Sequence, residues 1–139
     1  LEYDPNDYPR LLAPILAGEC AVVFGARPRR PTRRWEFALP LIGNRVLTLT
    51  TNLLFRARLR DVFVCYKVFS RRSLAGLVLV SDHFEVEIEL TVKCLRRGLA
   101  IRQVPISYRP RGRDDGKKIS LRHGLIALHA LVAYRFWKK

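Results

Sequence analysis

YPRLLAPILAGECAVVFG, residues 8–25, decides the fold class. Its first half carries Leu11, Leu12, Ile15 and Leu16 at helical spacing. Asp4-Pro5-Asn6-Asp7, just upstream, is a turn and helix-cap signal. Gly18 is the stop, because glycine closes a helix end in the left-handed conformation without a Cβ penalty. Ala21, Val22, Val23 and Phe24 then form a short, fully apolar run ending at Gly25, the pattern of a buried strand. A helix followed at once by such a strand predicts a layered α/β domain and not a helical bundle.

Outward from that unit, residues 27–34 (RPRRPTRR) carry five arginines broken by prolines, which excludes a regular helix or a central strand. Helical periodicity returns over residues 35–55, with Leu39, Ile42, Val46, Leu49, Leu53 and Leu54 near one face and Pro40 as a kink or as the true start. That stretch is apolar enough to lie on a membrane surface as well as on a core. Residues 65–69 read as a strand. Ser81 or Asp82 is placed to cap a helix running to Arg97, with Gly98 as its stop and Glu85, Glu87 and Glu89 early, where the helix dipole favours acids. Residues 99–108 read as another strand. It runs into a loop, residues 109–118, of five cations and two acids, whose Gly112 and Gly116 let the backbone turn toward a ligand. Residues 121–137 form an amphipathic helix with Leu125, Leu128, Leu131, Val132 and Phe136 in contact range of each other, for a core or, as the alternative, for a membrane surface.

The 139 residues suffice for one modest domain, 49% of them apolar. A formal net charge of +14 favours anionic partners: nucleic acid, an acidic membrane surface or phosphorylated small molecules. No apolar run approaches the roughly 18 residues of a membrane span, and no signal peptide is visible. Cys20, Cys65 and Cys94 show no CxxC or zinc spacing, so reduced core thiols are expected. His83, His123 and His129 are scattered. The absence of methionine and the abrupt opening at Leu1 read as the interior of a longer protein.

The two basic stretches each follow a strand. If both lie at the carboxyl edge of one sheet, they face one site fit for a multiply charged phosphate compound. Glu2, Asp4 and Asp7 offer hard oxygen donors suited to Mg2+ or Mn2+, or alternatively a capping cluster. Asp61 and Glu87 are the other acids of interest, although an acid so close to Arg56, Arg58 and Arg60 is commonly an ion pair. No GxSxG, Walker or GxGxxG motif is present. Aromatics are not interleaved with the basic runs as an RNA-stacking platform requires.

Several phrases, in order and spread over nearly the whole chain, carry a family resemblance: LEYDPNDYPRLLAPILAG, VVFGAR, GNRVLTLTTNLLF, CYKVF, FEVEIELTVKCLRRG, VPISY and GKKI. The chain resembles the second half of a family 2 glycosyltransferase of the dolichyl-phosphate mannosyltransferase-like branch. The resemblance implies the C-terminal half of a GT-A fold, a mixed sheet flanked by helices. It further implies a single partial domain over residues 1–139, without the N-terminal nucleotide-binding half. In that family LEYDP is normally preceded by the Asp-x-Asp that holds the metal, which leaves Glu2 as a supplementary ligand to Mg2+ or Mn2+. The resemblance places Arg27, Arg34 and Asn44 at donor or acceptor phosphate. It places Arg111, Lys117 and Lys118 on a loop closing over substrates, and Asp61 and Glu87 among the acids lining the site. Phe63 stands where related chains carry a polar residue, and His123 where an Asp is common.

The implied reaction moves a sugar from a nucleotide-sugar to a polyprenyl or dolichyl phosphate, or a related lipid-linked acceptor, at the cytoplasmic face of a membrane, with inversion. An ionised phosphate acceptor needs little help from a base, whereas a hydroxyl acceptor would require one, with Asp61 and Glu87 as candidates. On this expectation the isolated chain is inactive because it lacks Asp-x-Asp, and nucleic acid is not a partner. The alternative is a non-catalytic basic module that binds anionic lipid or nucleic acid.

Overall fold

A computed structural model describes residues 2–28, 35–82, 85–110 and 121–136, residues 35–39, 121 and 122 by backbone alone. The order begins with a 3-10 turn, Pro5–Asp7, then α1 (Tyr8–Leu16), β1 (Val22–Ala26), α2 (Trp35–Phe55), β2 (Lys67–Phe69), α3 (Arg71–Leu74), α4 (Val86–Arg96), β3 (Ile101–Pro105) and α5 (Leu121–Phe136). Asp4 caps the opening turn by accepting the Asn6 N–H at 2.9 Å. Gly18 closes α1 at φ +71°, and the Glu19 N–H reaches back to the Pro14 carbonyl at 2.9 Å.

β1 is the centre of a three-stranded mixed sheet of order β2-β1-β3, antiparallel to β2 and parallel to β3. All five of its residues are buried, which is why its sequence shows no alternation. Gly25 leaves room for Ile106: a Cβ would stand 2.7 Å from Ile106 Cδ1 and 3.2 Å from its Cγ1 and Cγ2, so that side chain would have to shift. One core cluster joins Leu11, Val22, Val23, Phe24, Val64, Cys94 and Ile106. A second joins α2, α4 and α5 through Leu47, Leu59, Val62, Ile88, Val92, Ala127 and Leu131. Each fully buried aliphatic side chain contributes about 1.5–3 kcal/mol.

The choice left open for α2 is decided, and three expectations are corrected. The apolar stripe of α2 faces outward: Ile42, Val46, Leu49 and Leu53 are exposed, Leu53 at 72%, while Leu47, Thr48 and Thr51 face the core. Along α5, Leu125, Val132 and Phe136 likewise face out, and Ala127 and Leu131 pack inward. The two stripes have helical spacing, which cannot say which face meets the protein. α4 starts at Val86 and not at Ser81, because the Val80 and Ser81 N–H groups donate to the buried Glu89 carboxylate of α4 instead of opening a helix. All three cysteines are unpaired, but only Cys94 is fully buried and Cys65 is exposed.

Candidate functional site

Parallel pairing brings the exits of β1 and β3 together. Ala26 pairs with Pro105, and the Ile106 N–H donates to the Ala26 carbonyl at 3.1 Å. Arg27 and Tyr108 therefore leave the sheet side by side at its carboxyl edge, where open α/β sheets bind ligands. The N-terminal stretch is stitched over this edge. Asp7 accepts the Ser107 N–H at 2.6 Å, the Arg109 N–H donates to the Glu2 carbonyl at 2.9 Å, and Tyr3 bridges to Tyr108. A cavity of about 340 Å³ opens here, lined by Arg10, Pro28, Pro105, Ile106, Ser107 and Tyr108.

Arg27 and Asp61 form the electrostatic centre. Arg27 Nε donates to Asp61 Oδ2 at 2.7 Å, and Nη2 donates to Oδ1 and to the Phe63 carbonyl, both at 2.9 Å. Asn44 Nδ2 donates to Asp61 Oδ1 at 3.0 Å. The side chains keep only 20% and 4% of their exposure. Burial works to raise the Asp61 carboxyl, but the hydrogen bonds and charge of Arg27, with the Asn44 amide, outweigh it and hold the group below the usual carboxylate range. A carboxylate so held is a poor proton acceptor near neutrality. Arg27 shows the converse: burial acts to lower it, Asp61 outweighs burial, and the guanidinium stays charged.

Aromatic rings continue this centre. Arg27 lies 5.1 Å from the Tyr108 ring centroid, a cation–π distance. Tyr108, Tyr3, Tyr66 and Tyr8 follow one another at centroid separations of 5.4, 4.7 and 5.0 Å. The Cys65 N–H donates to the Tyr3 hydroxyl at 3.4 Å, and burial raises the Tyr3 phenol against the lowering pull of the Arg27 charge, so that it stays neutral. A second ion pair, Lys67 with Glu87, lies beside Cys65, the Lys67 ammonium 5.0 Å from the Phe24 centroid. Burial lowers the Lys67 ammonium, against the opposing pull of Glu87.

The structure thus gathers Arg27, Asn44 and Asp61 into one network, and sets Glu87 in a separate pair with Lys67. Glu2 is half-buried beside Tyr108 and Arg109. Among the described residues no three His, Cys, Asp or Glu side chains converge as a metal centre, so Glu2 fits the part of one supplementary oxygen ligand and no more. Arg34, Arg111, Lys117 and Lys118 lie outside the described residues. Sequence reading did not single out Tyr3, Thr48 or Lys67, and it took Glu89 only as an acid favoured by the helix dipole. Lys67 two residues after Cys65, facing Glu87 from another element, leaves no local signal. The acid Glu89 on the buried side of α4 left one, since Ile88, Val92 and Leu95 mark that side.

No protein-family profile matches the chain. It is 31% identical over 123 residues to the glycosyltransferase AglJ of Haloferax volcanii, covering 86% of this chain and 38% of that protein. It is 28% identical over 112 residues to the low-salt glycan biosynthesis hexosyltransferase Agl6 of the same organism, covering 78% of this chain and 27% of that protein. The chain therefore spans well under half the length of these relatives. In structure it is similar to glucosyl-3-phosphoglycerate synthase from Mycobacterium tuberculosis, solved with Mn2+, uridine diphosphate and glucosyl-3-phosphoglycerate. The TM-score is 0.62 at 24% identity, over 99% of this chain and 47% of that one. The chain has the fold of part of a GT-A glycosyltransferase, and its sequence is similar to glycosyltransferases.

Proposed function

We propose that the chain is the acceptor-side part of a family 2 glycosyltransferase catalytic domain, dolichyl-phosphate mannosyltransferase-like. On this reading it transfers a hexose from a nucleotide-sugar to a polyprenyl phosphate or related lipid-linked acceptor. The observation that carries it is that both candidate bases are already engaged by cations, Asp61 by Arg27 and Glu87 by Lys67. A hydroxyl acceptor would need one of them to take its proton. A phosphate monoester, with a second pKa of about 6, arrives ionised and needs none. The Arg27 guanidinium, fixed by Asp61 at the exit of β1, stabilises negative charge at that edge without having to reorganise.

Mg2+ or Mn2+ belongs to this reading, with Glu2 as the one carboxylate contributed by the described residues. Bound there, the ion would neutralise charge on the departing nucleoside diphosphate. A peripheral place at the cytoplasmic face of a membrane belongs to this reading, and the outward apolar stripes of α2 and α5 are surfaces suited to lie on lipid. No described helix is long and apolar enough to cross a membrane.

The test uses the full-length protein that carries this chain, with Mn2+, radiolabelled UDP-glucose or GDP-mannose, and either a polyprenyl phosphate or the corresponding polyprenyl alcohol. Label moving to the phosphate and not to the alcohol is the expected result, and Arg27→Met should lower kcat at least tenfold. Transfer to the alcohol would refute the base-free reading. Salt-sensitive binding to anionic vesicles or RNA with no transfer to either acceptor would favour a basic binding module.

A further inference from the structure

Residues 71–80, RRSLAGLVLV, carry two arginines, no acid and five leucine or valine side chains. Leu74, Leu79, Val80 and Val78 are exposed, Val78 at 70%. The backbone behind them is gripped by one stripe of α4. Glu89, Lys93 and Arg97 stand one turn apart on a single helical face. Arg97 donates to the Ser73, Ala75 and Gly76 carbonyls at 3.3, 3.1 and 2.5 Å. Lys93 donates to the Val78 carbonyl, and Glu89 accepts the Val80 and Ser81 N–H groups at 3.0 and 2.8 Å. The Ser81 and Tyr134 hydroxyls join at 2.7 Å and close the far end. Turns within the segment take two more carbonyls, Arg72 from the Ala75 N–H at 3.3 Å and Leu74 from the Leu77 N–H at 3.0 Å.

Six carbonyls of the segment are thus paired from the protein side while its apolar side chains stay outside. A loop that leaves water must bring its polar backbone groups paired, since an unpaired one is costly there. The Val78 and Leu79 N–H groups have no partner among the described residues, which limits the loop to a shallow depth, where lipid ester and phosphate oxygens can accept them. Charge selects the kind of surface. Arg71 and Arg72 are exposed at the start of the segment and form no ion pair among the described residues, against one exposed acid, Asp82, just past its end. A protein partner matches less well, because interface hot spots are built from Trp, Tyr and Arg, with Leu and Val under-represented, and the exposed tip here is purely aliphatic. We propose that residues 74–80 are a membrane-inserting loop that enters the headgroup–acyl boundary of an anionic bilayer, with Arg71 and Arg72 on its headgroups. The loop is a contact surface separate from the α2 and α5 stripes. It rests on the membrane place proposed above and not on the transfer chemistry.

The test uses the full-length protein that carries this chain, with vesicles of phosphatidylcholine alone or mixed with phosphatidylglycerol. Partition is read by cosedimentation, and burial of the loop by hydrogen exchange at the Val78 and Leu79 amides. The mixed vesicles should slow that exchange about tenfold or more. Val78→Asp with Val80→Asp should weaken partition onto them about tenfold or more, with the parent's Tm, since both side chains are exposed. Val78→Leu with Val80→Leu should tighten it about 3- to 10-fold through two added methylenes. Arg71→Gln with Arg72→Gln should cost roughly 10- to 30-fold on the mixed vesicles and little on phosphatidylcholine. Unchanged partition in the double aspartate variant overturns the proposal. So does slow exchange at Val78 and Leu79 in the lipid-free protein, which would mean that another part of the protein or a second copy covers the loop. Partition lost in Leu49→Glu with Leu53→Glu but kept in the double aspartate variant leaves the membrane place standing and removes this loop alone. A parent that binds neither vesicle sinks both, and the sugar-transfer assay still decides the transferase reading.

Discussion

Replacing Asp61 by Asn tests the centre of the site. The carboxylate accepts two hydrogen bonds from the Arg27 guanidinium, at 2.7 and 2.9 Å, one from the Arg27 backbone N–H at 3.4 Å and one from Asn44 at 3.0 Å. An amide offers one acceptor oxygen and turns an N–H toward one of the remaining donors. Arg27 is then left mostly buried without its counter-charge. Removing one partner of a buried pair costs about 3–5 kcal/mol. Arg27 keeps a fifth of its exposure, so water screens part of the loss, and the lower end, about 3 kcal/mol, is expected. For a chain of this size that is a drop of roughly 10 °C in Tm. Urea and thermal unfolding followed by circular dichroism at pH 7 give both numbers. Arg27→Met combined with Asp61→Leu should recover most of the loss, since replacing the whole pair removes the orphaned charge.

The pH dependence supplies a second arm. Asp61 is held below its unfolded value, near 3.9, so its contribution is complete above that pH and fades as pH falls toward the folded value. The stability gap between parent and Asp61→Asn should be constant from pH 7 to 5 and narrow below about pH 4. A gap under about 1 kcal/mol at pH 7, or one that widens in acid, would refute the argument that the pair anchors this edge.

Three further outcomes are expected. Glu89→Gln should speed hydrogen exchange at the Val80 and Ser81 amides by about 10- to 100-fold, because charge-assisted bonds at 3.0 and 2.8 Å become weaker neutral ones; unchanged exchange would mean another group holds that segment. Gly25→Ala should cost about 1–3 kcal/mol by overpacking against Ile106, and Ile106→Val should relieve it by deleting the Cδ1 that lies 2.7 Å from the new carbon. Leu49→Glu with Leu53→Glu should abolish flotation with liposomes of anionic lipid while leaving the unfolding free energy within about 1 kcal/mol of the parent, since both residues face outward; retained flotation would remove α2 from the membrane reading.

Most elements were legible because their signals are local. The helix–glycine–strand unit at residues 8–25 appears as read, with Gly18 at φ +71° and β1 buried throughout. Where reading failed, the deciding partner was distant in sequence. Ser81 has the chemistry of a helix cap, and only the fold reveals that Glu89 takes its N–H. The stripe Ile42, Val46, Leu49 and Leu53 has good helical spacing, yet the face carrying Leu47 and Thr51 meets the core, since α5 and the segment carrying Leu59 and Val62 pack there. Arg27, Asn44 and Asp61 were each singled out as site residues, yet their contacts span 17 to 34 positions, and no spacing rule shows that they would bind one another.

That mutual binding changes what the residues can do. An unpaired aspartate at this edge would suit proton abstraction, and an unpaired arginine and asparagine would both suit phosphate. Joined, the acid becomes an anchor, and one N–H of the asparagine amide is committed to holding it. The guanidinium keeps its charge, in a fixed position beside Tyr108. A site built this way offers preset positive charge and no free base among the acids singled out. Its chemistry then depends on an acceptor that brings its own negative charge, and phosphate monoesters meet that requirement near neutrality while alcohols do not.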